Sequence, residues 1–480
     1  MDRRDFIGNT EPGHLEIKMM KKSIAIIGAG ESGTGAALLA NAKGYEIFVS
    51  DSGPIGEKYR SQLLLAGIDF EEGTHSLEKI VRSSLVIKSP GVPDHVPVME
   101  HVRSAGIEVI DEIEFGFRHL TGKVIAITGT NGKTTTTLLT YHLLKRAGYA
   151  VALAGNVGQS LARKVMEGGV DWFVVEVSSF QLDGTSTFRP DVGILLNITP
   201  DHLDRYQYQM QHYVNSKFQL IRNMGPADAF VYCADDPVIA SEMTRRKTTC
   251  RQDRISLVKD PASTAWAEGT QMHFNIRGNT FSVAQQDTTL LGAHNQINTM
   301  AAVVAATLAG VPLQQVREGL KDFKNAPHRL ELVAEIQGVK FVNDSKATNV
   351  DAVTYALGAY DAPLIWIAGG IDKGNNYDAI RALVSERVKS MICLGKNNEK
   401  LKTYFGSIVR DIRETQSMSD LVRIALQMAA RGDVVLLSPA CASFDLFKNY
   451  EDRGDQFRKE TWALQKEVEM EQDVLKDKKN

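Results

Sequence analysis

The sequence predicts an α/β protein of three domains. Short apolar runs with β propensity alternate with stretches of helical period along most of the chain, which is typical of parallel sheets covered by helices. At 480 residues the chain is too long for a single hydrophobic core. Glycine-rich turns follow two of the apolar runs, at Gly28 and at Gly129. We therefore predict a Rossmann-like N-terminal domain (residues 21–120, after an extension over 1–20), a central P-loop domain with a mostly parallel sheet (121–325) and a C-terminal Rossmann-like α/β domain (326–480).

The composition argues against several classes of protein. Hydrophobic residues make up 43% and charged residues 24% of the chain, as in soluble globular proteins. A net charge of −3 gives no electrostatic reason to expect nucleic acid or membrane partners. The four cysteines are scattered, which argues against a disulfide framework or a zinc site. No apolar run reaches transmembrane length, and the first twenty residues lack the apolar core of a signal peptide. We expect a cytoplasmic, multi-domain enzyme.

The first glycine-rich turn lies in a βαβ context. A predicted strand, 23–27, leads into Gly28-Ala29-Gly30-Glu31-Ser32-Gly33, and the next strand ends in Asp51. This spacing is found in dinucleotide folds, where a diphosphate sits on a helix N-terminus. A nucleotide-sugar diphosphate fits the pattern as well as NAD does, and tight strand–helix packing without a ligand is a further interpretation.

The second glycine-rich turn has the features of a phosphate-binding loop. The apolar run 124–127 enters Gly129-Thr130-Asn131-Gly132-Lys133-Thr134-Thr135, and a helical pattern follows. Glycines let the backbone approach phosphates, and the helix N-terminus adds partial positive charge. Lys133 is predicted to reach the β- and γ-phosphates of ATP, and the Thr134 hydroxyl to bind Mg²⁺. The loop is shorter than the general P-loop, whose first glycine would fall at Ile127.

Acidic side chains follow two further strands of the central domain. The strand 172–177 carries Glu176 near its carboxyl end, and another strand is followed by Asp201, His202 and Asp204. Ligands gather at the carboxyl ends of strands in open α/β sheets, so Glu176 is well placed for Mg²⁺. A histidine and two acids at a strand end also suggest metal or phosphate contacts, and helix capping by Asp201 or Asp204 is an equal alternative for those two acids.

Three polar residues of the central domain leave their roles open. Lys217 lies in a helical stretch and, from the pattern alone, is expected to be solvated. Asn295 and Asn298 share one face of an alanine-rich helix, where they could hold adenine or a phosphate, or cap the helix.

The irregular segment 233–286 is predicted to form an antiparallel edge of the sheet.

Three loops of the C-terminal domain each follow a predicted strand. They span residues 343–349, 369–373 and 438–445. The carboxyl ends of parallel strands meet at one edge, so these loops should lie together. Their lysines, hydroxyls and acids suit a small zwitterionic substrate.

Taken together, these motifs resemble the ATP-dependent Mur ligases of peptidoglycan synthesis. The resemblance runs in order from about residue 23 to about residue 464, and within the family the loops 343–349 and 437–445 are similar to those of the D-glutamate-adding member. The matching residues are Gly129–Thr135, Glu176 with Ser178–Leu182, Asp201–Asp204, His294, Asn295, Asn298, His328 and Arg329.

The resemblance implies an amide ligase. The terminal carboxylate of UDP-N-acetylmuramoyl-L-alanine would attack the γ-phosphate of ATP to give an acyl phosphate, which the amine of D-glutamate would then attack, releasing phosphate. It implies two Mg²⁺ ions held around Thr134, Glu176, His202 and Lys217, with Lys217 carbamylated, which replaces the solvated interpretation of that lysine. The implied catalytic residues are Lys133, Glu176, His202, Lys217 and Lys346.

The resemblance also implies three sets of binding residues and a monomeric enzyme. The ATP set comprises Gly129, Thr130, Asn131, Gly132, Lys133, Thr134, Thr135, Asn295, Arg329 and Asp344. The D-glutamate set comprises Lys346, Thr348, Lys373, Ser443, Phe444 and Tyr450. The UDP-substrate set comprises Gly30, Glu31, Ser32, Gly33, Asp51, Ser89, Gly91, Asn156, Ser178 and Gln181. The sequence departs from the family in this last set, because Glu31 is acidic where a neutral residue is expected near a diphosphate and Gly53 replaces a basic residue of some members.

Three alternatives remain at this stage. One is a related ligase, either another Mur enzyme or a folylpolyglutamate synthase, although the Asp-Asn-Pro-Arg pattern of diaminopimelate- or lysine-adding members is absent. The second is a nicotinamide-dependent oxidoreductase built on Gly28–Gly33. The third is a non-catalytic P-loop switch.

Overall fold

The computed structural model describes residues 22–372 and 374–477, so the predicted N-terminal extension lies outside the described residues. Three sheets, each flanked by helices, follow one another along the chain. The contacts divide the chain into two compact units, one reaching residue 119 and including 160–167, the other comprising 120–159 and the rest from 168. The predicted α/β class is confirmed. The predicted domain boundaries stay a prediction.

The sheet of the first unit has five parallel strands in the order β3-β2-β1-β4-β5. This order places β1 at the centre, with the glycine-rich turn at its carboxyl end. The elements are β1 (Ser23–Ile27), α1 (Glu31–Ala42), β2 (Glu46–Asp51), α2 (Glu57–Leu65), β3 (Asp69–Glu72), α3 (Leu77–Ile80), β4 (Leu85–Lys88), α4 (Pro97–Ser104), β5 (Glu108–Asp111) and α5 (Glu112–His119).

The central sheet has nine strands in the order β14-β13-β12-β11-β10-β9-β6-β8-β7, antiparallel only at the β12-β13-β14 edge. The antiparallel edge predicted for 233–286 is confirmed for the strands over 265–284, whereas the first half of that segment forms a helix, Pro237–Arg245, and a parallel strand, Arg251–Ser256. The elements are β6 (Lys123–Thr128), α6 (Lys133–Arg146), β7 (Val151–Gly155), α7 (Leu161–Glu167), β8 (Trp172–Glu176), α8 (Ser179–Asp183), β9 (Val192–Leu195), α9 (Met210–Phe218), β10 (Ala229–Cys233), α10 (Pro237–Arg245), β11 (Arg251–Ser256), β12 (Ala265–Glu268), β13 (Gln271–Ile276), β14 (Asn279–Ala284), α11 (Ala293–Leu308) and α12 (Leu313–Asp322).

The third sheet has the order β15-β16-β20-β17-β18-β19 and is parallel except for the β15-β16 pair. Its apolar strands form a core between two helical layers. The elements are β15 (Glu331–Ile336), β16 (Val339–Asn343), α13 (Val350–Leu357), β17 (Leu364–Ala368), α14 (Asp378–Arg387), β18 (Val388–Leu394), α15 (Glu399–Phe405), β19 (Ile412–Thr415), α16 (Met418–Met428), β20 (Val434–Leu437) and α17 (Tyr450–Asp477).

The first unit, to which α7 belongs, buries the carboxylate of Glu112 against the start of that helix. Glu112 Oε1 accepts a hydrogen bond of 2.5 Å from the Ala162 N–H, and its Oε2 has no partner among the described residues. Burial raises the pKa of Glu112 to about 8, and the charges of Asp111 and Glu31 act in the same direction. Because the folded protein then binds this proton more tightly than the unfolded chain, Glu112 costs stability as the pH rises from about 4.5 to about 8.

Replacing Glu112 with glutamine should raise Tm at pH 9 by roughly 3–6 °C and leave it nearly unchanged at pH 5. The carboxamide keeps an oxygen for the Ala162 N–H but never carries the charge that burial disfavours. Calorimetry at the two pH values measures the difference, with Glu100→Gln on the exposed face of α4 as the control. Equal changes in Tm at both pH values would contradict the explanation.

Among the described residues, no helix combines the length and the apolar character that crossing a bilayer requires.

Candidate active site

The phosphate-binding turn lies between β6 and α6. Gly129 and Gly132 have φ angles of 153° and 84°, and a Cβ atom on Gly132 would lie 2.3 Å from Asn298 Oδ1. Glycine is therefore required at Gly132 both by the backbone and by the close approach of α11. Lys133 Nζ donates to the carbonyl oxygens of Gly129 and Thr130 at 2.8 Å each. The turn thus presents the α6 N-terminus and a lysine together, an arrangement that favours anions.

A cleft in the second compact unit brings together predicted residues from the central and third sheets. It is bordered by the turn, by the end of β8, by the start of α11 and by the loop after β16. The predicted site residues that line it are Thr130, Asn131, Gly132, Lys133, Thr134, Thr135, Asn156, Glu176, Asn295, Arg329, Asp344, Lys346 and Thr348.

Two charged groups in this cleft have buried atoms without partners among the described residues. Glu176 Oε1 accepts a bond of 2.8 Å from Asn156 Nδ2, whereas Oε2 is unpaired, and Arg329 Nε is likewise unpaired. Arg329 Nη2 donates to Thr134 Oγ1 at 2.8 Å. Burial lowers the pKa of Arg329, and the Glu176 charge opposes that shift. Buried unpaired charges call for a ligand, and a carboxylate beside two cations and a hydroxyl suits a phosphate chain with its metal ion.

Two of the four predicted metal ligands line the cleft. Thr134 and Glu176 line the cleft, whereas His202 and Lys217 are not among its lining residues. His202 has a φ of 52°, and its half-exposed ring lies 3.7 Å from Asp201. Within the part of the chain that the structure describes, no three His, Cys, Asp or Glu side chains converge to hold a metal ion. The Mg²⁺ roles of all four residues stay a prediction, and Thr134 and Glu176 are the two that contribute oxygens to the cleft.

Lys217 is buried, so the expectation of a solvated lysine from its helical pattern is wrong. Its side chain is only 1% exposed, and Nζ donates to Gly129 O at 2.8 Å. The ammonium also lies 4.5 Å from the centre of the Tyr213 ring. Burial lowers the pKa of Lys217 well below its usual value, and the charge of Lys133 adds to the shift. The sequence could not show this, because the burial comes from α9 packing beneath the phosphate-binding turn.

The two asparagines of α11 lie on one face, as predicted. Asn298 Nδ2 donates to Asn295 Oδ1 at 3.0 Å, and both residues line the cleft. The capping alternative is wrong here, because α11 begins after Gly292 with no side-chain cap. It is also wrong for Asp201 and Asp204, since the short 3-10 turn beside them, Leu203–Tyr206, begins after His202 without a side-chain cap.

The three loops of the third sheet meet at its carboxyl edge, as predicted. Gly369 N donates to Pro439 O, and Ala440 N donates to Ala347 O. In the first loop, Asp344 accepts from the Ser438 hydroxyl at 2.9 Å, and burial raises its pKa to about 7.

The predicted D-glutamate residues divide into two groups. Lys346 Nζ donates to Tyr450 Oη at 2.9 Å, and burial lowers its pKa to about 8. Thr348 borders the same cleft as Lys346. Ser443 is buried and Phe444 is 68% exposed, but neither borders that cleft. Lys373 lies outside the described residues.

Most predicted UDP-substrate residues lie around the first glycine-rich turn. Asp51 Oδ2 accepts from the Ala29 N–H at 2.7 Å, and Ser89 Oγ donates to Gly28 O at 3.1 Å. No atom lies within 4 Å of a Cβ built on Gly30, so this side of the turn is open. The other members of this group are Ser32 and Gly33 in the first turn of α1 and Gly91 after β4.

Two further members of the predicted UDP-substrate set have structural partners. Ser178 and Gln181 form a reciprocal capping box at the start of α8, with the Ser178 N–H bonded to Gln181 Oε1 at 2.9 Å. Their part in substrate binding stays a prediction.

The acid that departed from the family pattern has a partner within the first unit. Glu31 accepts bonds from Arg163 at 2.7 and 3.3 Å and from the Ser160 N–H at 3.2 Å. Its charge is therefore compensated, which removes the electrostatic objection to an acid near a bound diphosphate.

The sequence reasoning missed two residues that hold the site loops. Asn197 Oδ1 accepts from the backbone N–H groups of Thr130 and Asn131 at 3.0 and 2.8 Å. The guanidinium of Arg453, on α17, is fully buried and bonds to Ser345 Oγ and O, Gly369 O and Cys441 O at 2.8–3.4 Å. It thereby contacts all three loops of the third sheet. Asn197 could have been noticed at a strand end, whereas nothing in the pattern marks Arg453.

Three family models match the chain: the MurD N-terminal domain over residues 23–98, the Mur ligase middle domain over 127–306 and the Mur ligase glutamate ligase domain over 328–441. The UDP-N-acetylmuramoylalanine--D-glutamate ligase of Cytophaga hutchinsonii is 51% identical over 442 residues, which cover 92% of this chain and 98% of the relative. The enzyme of the same name from Bacteroides fragilis is 46% identical over 439 residues, covering 91% and 99%.

Solved structures of low identity share the fold. The UDP-N-acetylmuramate-alanine ligase MurC of Thermotoga maritima superposes with a TM-score of 0.60 at 18% identity, over 92% of this chain and 99% of that one. A pseudomurein peptide ligase type C from Methanothermus fervidus gives 0.59 at 20% identity, over 92% and 100%. The two similarities support the three-sheet α/β architecture.

Proposed function

The chain belongs to the Mur ligase family, and from that premise we propose that it is an ATP-dependent ligase that joins D-glutamate to UDP-N-acetylmuramoyl-L-alanine in peptidoglycan precursor synthesis. The observation that carries the proposal is the cleft, which brings Lys133 and Glu176 of the central sheet together with Lys346 of the third. One cleft can thus hold a nucleotide phosphate beside a cation for an amino acid carboxylate.

The proposed chemistry asks the protein mainly for positioning and charge neutralisation. The substrate carboxylate attacks the γ-phosphorus, ADP leaves, and an acyl phosphate forms. The uncharged amine of D-glutamate then attacks the acyl carbon, the bond from that carbon to the phosphate oxygen breaks, phosphate leaves, and the nitrogen loses a proton to water to give the amide. Lys133, Arg329 and the N–H groups in the first turn of α6 neutralise the negative charge that develops on the phosphoryl oxygens, since the N–H groups of Thr130 and Asn131 are bonded to Asn197.

Mg²⁺ ions would be held by Thr134 and Glu176 and, in the fuller proposal, by His202 and a carbamylated Lys217. The metal would supply charge neutralisation at the phosphates. Two observations support these roles. Glu176 Oε2 has no hydrogen-bond partner among the described residues, and burial lowers the pKa of Lys217, which favours the neutral amine that carbamylation requires. We further propose that the enzyme acts as a monomer in the cytoplasm.

Phosphate release with ATP, Mg²⁺, UDP-N-acetylmuramoyl-L-alanine and a panel of amino acids tests the proposal. We expect release, with a matching amide product by mass spectrometry, only when D-glutamate is present. Release with diaminopimelate or L-lysine instead would identify a sister ligase, and release with no amino acid requirement would contradict ligation.

Replacing Lys346 with methionine should raise KM for D-glutamate about 100-fold, because a buried carboxylate would lose its cation. KM for ATP should change little. In the wild type, KM for D-glutamate should rise as the pH passes about 8, since Lys346 loses its charge above that value. Lys340→Met, on the exposed face of β16, is the matched control. An unchanged KM for D-glutamate in Lys346→Met would contradict this assignment.

A further inference from the structure

Three aromatic side chains in contact connect the two predicted metal residues that lie outside the cleft lining. We name Phe180, Tyr206 and Tyr213 the aromatic column. The His202 ring meets Phe180 edge-on at 5.3 Å, Phe180 stacks on Tyr206 at 5.9 Å, and Tyr206 contacts Tyr213 at 5.3 Å. The column runs from an exposed histidine to a buried lysine, because Lys217 Nζ lies over the Tyr213 ring.

The column is fixed at both hydroxyl groups. Tyr206 Oη donates to Asp183 at 2.9 Å and approaches Ser216 Oγ at 3.2 Å, which ties α8 to α9. Tyr213 Oη lies 3.1 Å from the Thr130 hydroxyl, which in turn bonds to both backbone groups of Thr199. The column therefore contacts the phosphate-binding turn as well as the loop that carries His202.

That loop holds an unfavourable backbone conformation. His202, Gln207 and Tyr208 have φ angles of 52°, 56° and 57°. Side chains other than glycine adopt this region at a cost and keep it when their surroundings fix them. Phe180 supplies such surroundings, since the His202 ring packs on it and the Arg205 guanidinium lies 4.4 Å from its centre.

We propose that Phe180 and Tyr206 are positioning residues that hold His202 and Lys217 in fixed relation to the phosphate-binding turn. The inference rests on the proposed function, because it gives those two residues a role toward the metal-bound nucleotide. Phe180 is only partly buried, and the His202 ring lies against it.

Mn²⁺ binding in the presence of a non-hydrolysable ATP analogue, followed by electron paramagnetic resonance, tests the proposal. Phe180→Leu should weaken Mn²⁺ affinity about 10-fold, the size expected when a residue behind a metal ligand is lost. Phe180→Tyr keeps the ring and should restore affinity. Tyr206→Phe keeps the ring but removes the contacts of the hydroxyl with Asp183 and Ser216, and we expect it to weaken Mn²⁺ affinity about 3-fold. This second variant keeps the test decisive if Phe180→Leu folds poorly.

Phe281→Leu is the matched control, because Phe281 stacks on Phe274 at 4.7 Å in the distant β13-β14 hairpin. Equal Mn²⁺ affinities in the Phe180, Tyr206 and Phe281 variants would overturn the role of the column and leave the ligase proposal standing. If the wild-type protein showed no D-glutamate-dependent phosphate release, the proposed function would be overturned instead.

Discussion

Replacing Lys133 with methionine should lower kcat/KM for ligation by about 1,000-fold, the scale of losing a buried donor at developing charge. Lys133 Nζ is held by two carbonyl oxygens of the turn at 2.8 Å, so it is fixed before a nucleotide binds. Burial lowers the pKa of Lys133, whereas Glu176 favours its charged form. Phosphates would favour that form further, and methionine offers neither charge nor donor.

Steady-state kinetics of phosphate release measure this effect, and Lys145→Met is the control. Lys145 lies on the same helix α6 but is exposed in its last turn, so its loss should change kcat/KM less than about 2-fold. If kcat/KM of the Lys133→Met variant stayed within 10-fold of the wild-type value, the phosphate-binding turn would have no role in the chemistry.

Replacing Glu176 with glutamine should lower kcat by about 100- to 1,000-fold and raise the Mg²⁺ concentration needed for half activation. The carboxylate lies at the end of β8 with one oxygen bonded to Asn156 and the other unpaired. Glutamine can keep the first contact but removes the negative charge that faces Lys133 and Arg329. Thermal stability should fall somewhat, because the buried cations Lys133 and Arg329 lose the carboxylate charge that compensates them.

The measurement is the activity of the Glu176→Gln variant over a series of Mg²⁺ concentrations, and Glu112→Gln is the control. Glu112 is also a buried carboxylate with an unpaired oxygen, but it lies in the first compact unit. We expect its replacement to leave Mg²⁺ activation unchanged. Similar losses in the two variants would mean that the Glu176 effect is not specific to the cleft.

Sequence periodicity and the topology of parallel sheets predicted much of the site. Glu176 ends β8 and Asp344 and Lys346 follow β16, and within each sheet the carboxyl ends of the parallel strands share an edge. The relation of Asn295 to Asn298 followed from helical geometry alone. These predictions depended on the periodicity of single strands and helices and on the rule that parallel strands end at a common edge. The structure confirms the positions of these residues at strand ends and on one helix face.

Other features depend on contacts distant in sequence. Lys217 is buried because α9 packs beneath a turn nearly ninety residues earlier, and no helical pattern contains that fact. Arg453 contacts loops up to 108 residues away, and Glu31 is compensated by Arg163, 132 residues later. Pairings of this kind are set by tertiary packing rather than by periodicity.

The most direct measurement follows the oxygen that a ligase of this type transfers. UDP-N-acetylmuramoyl-L-alanine labelled with ¹⁸O in its terminal carboxylate is turned over with ATP, Mg²⁺ and D-glutamate, and the released phosphate is analysed by mass spectrometry. Attack of that carboxylate on the γ-phosphorus predicts that label passes into the phosphate in D-glutamate-dependent turnover. Phosphate released without label would contradict the acyl-phosphate route and the ligase function built on this cleft.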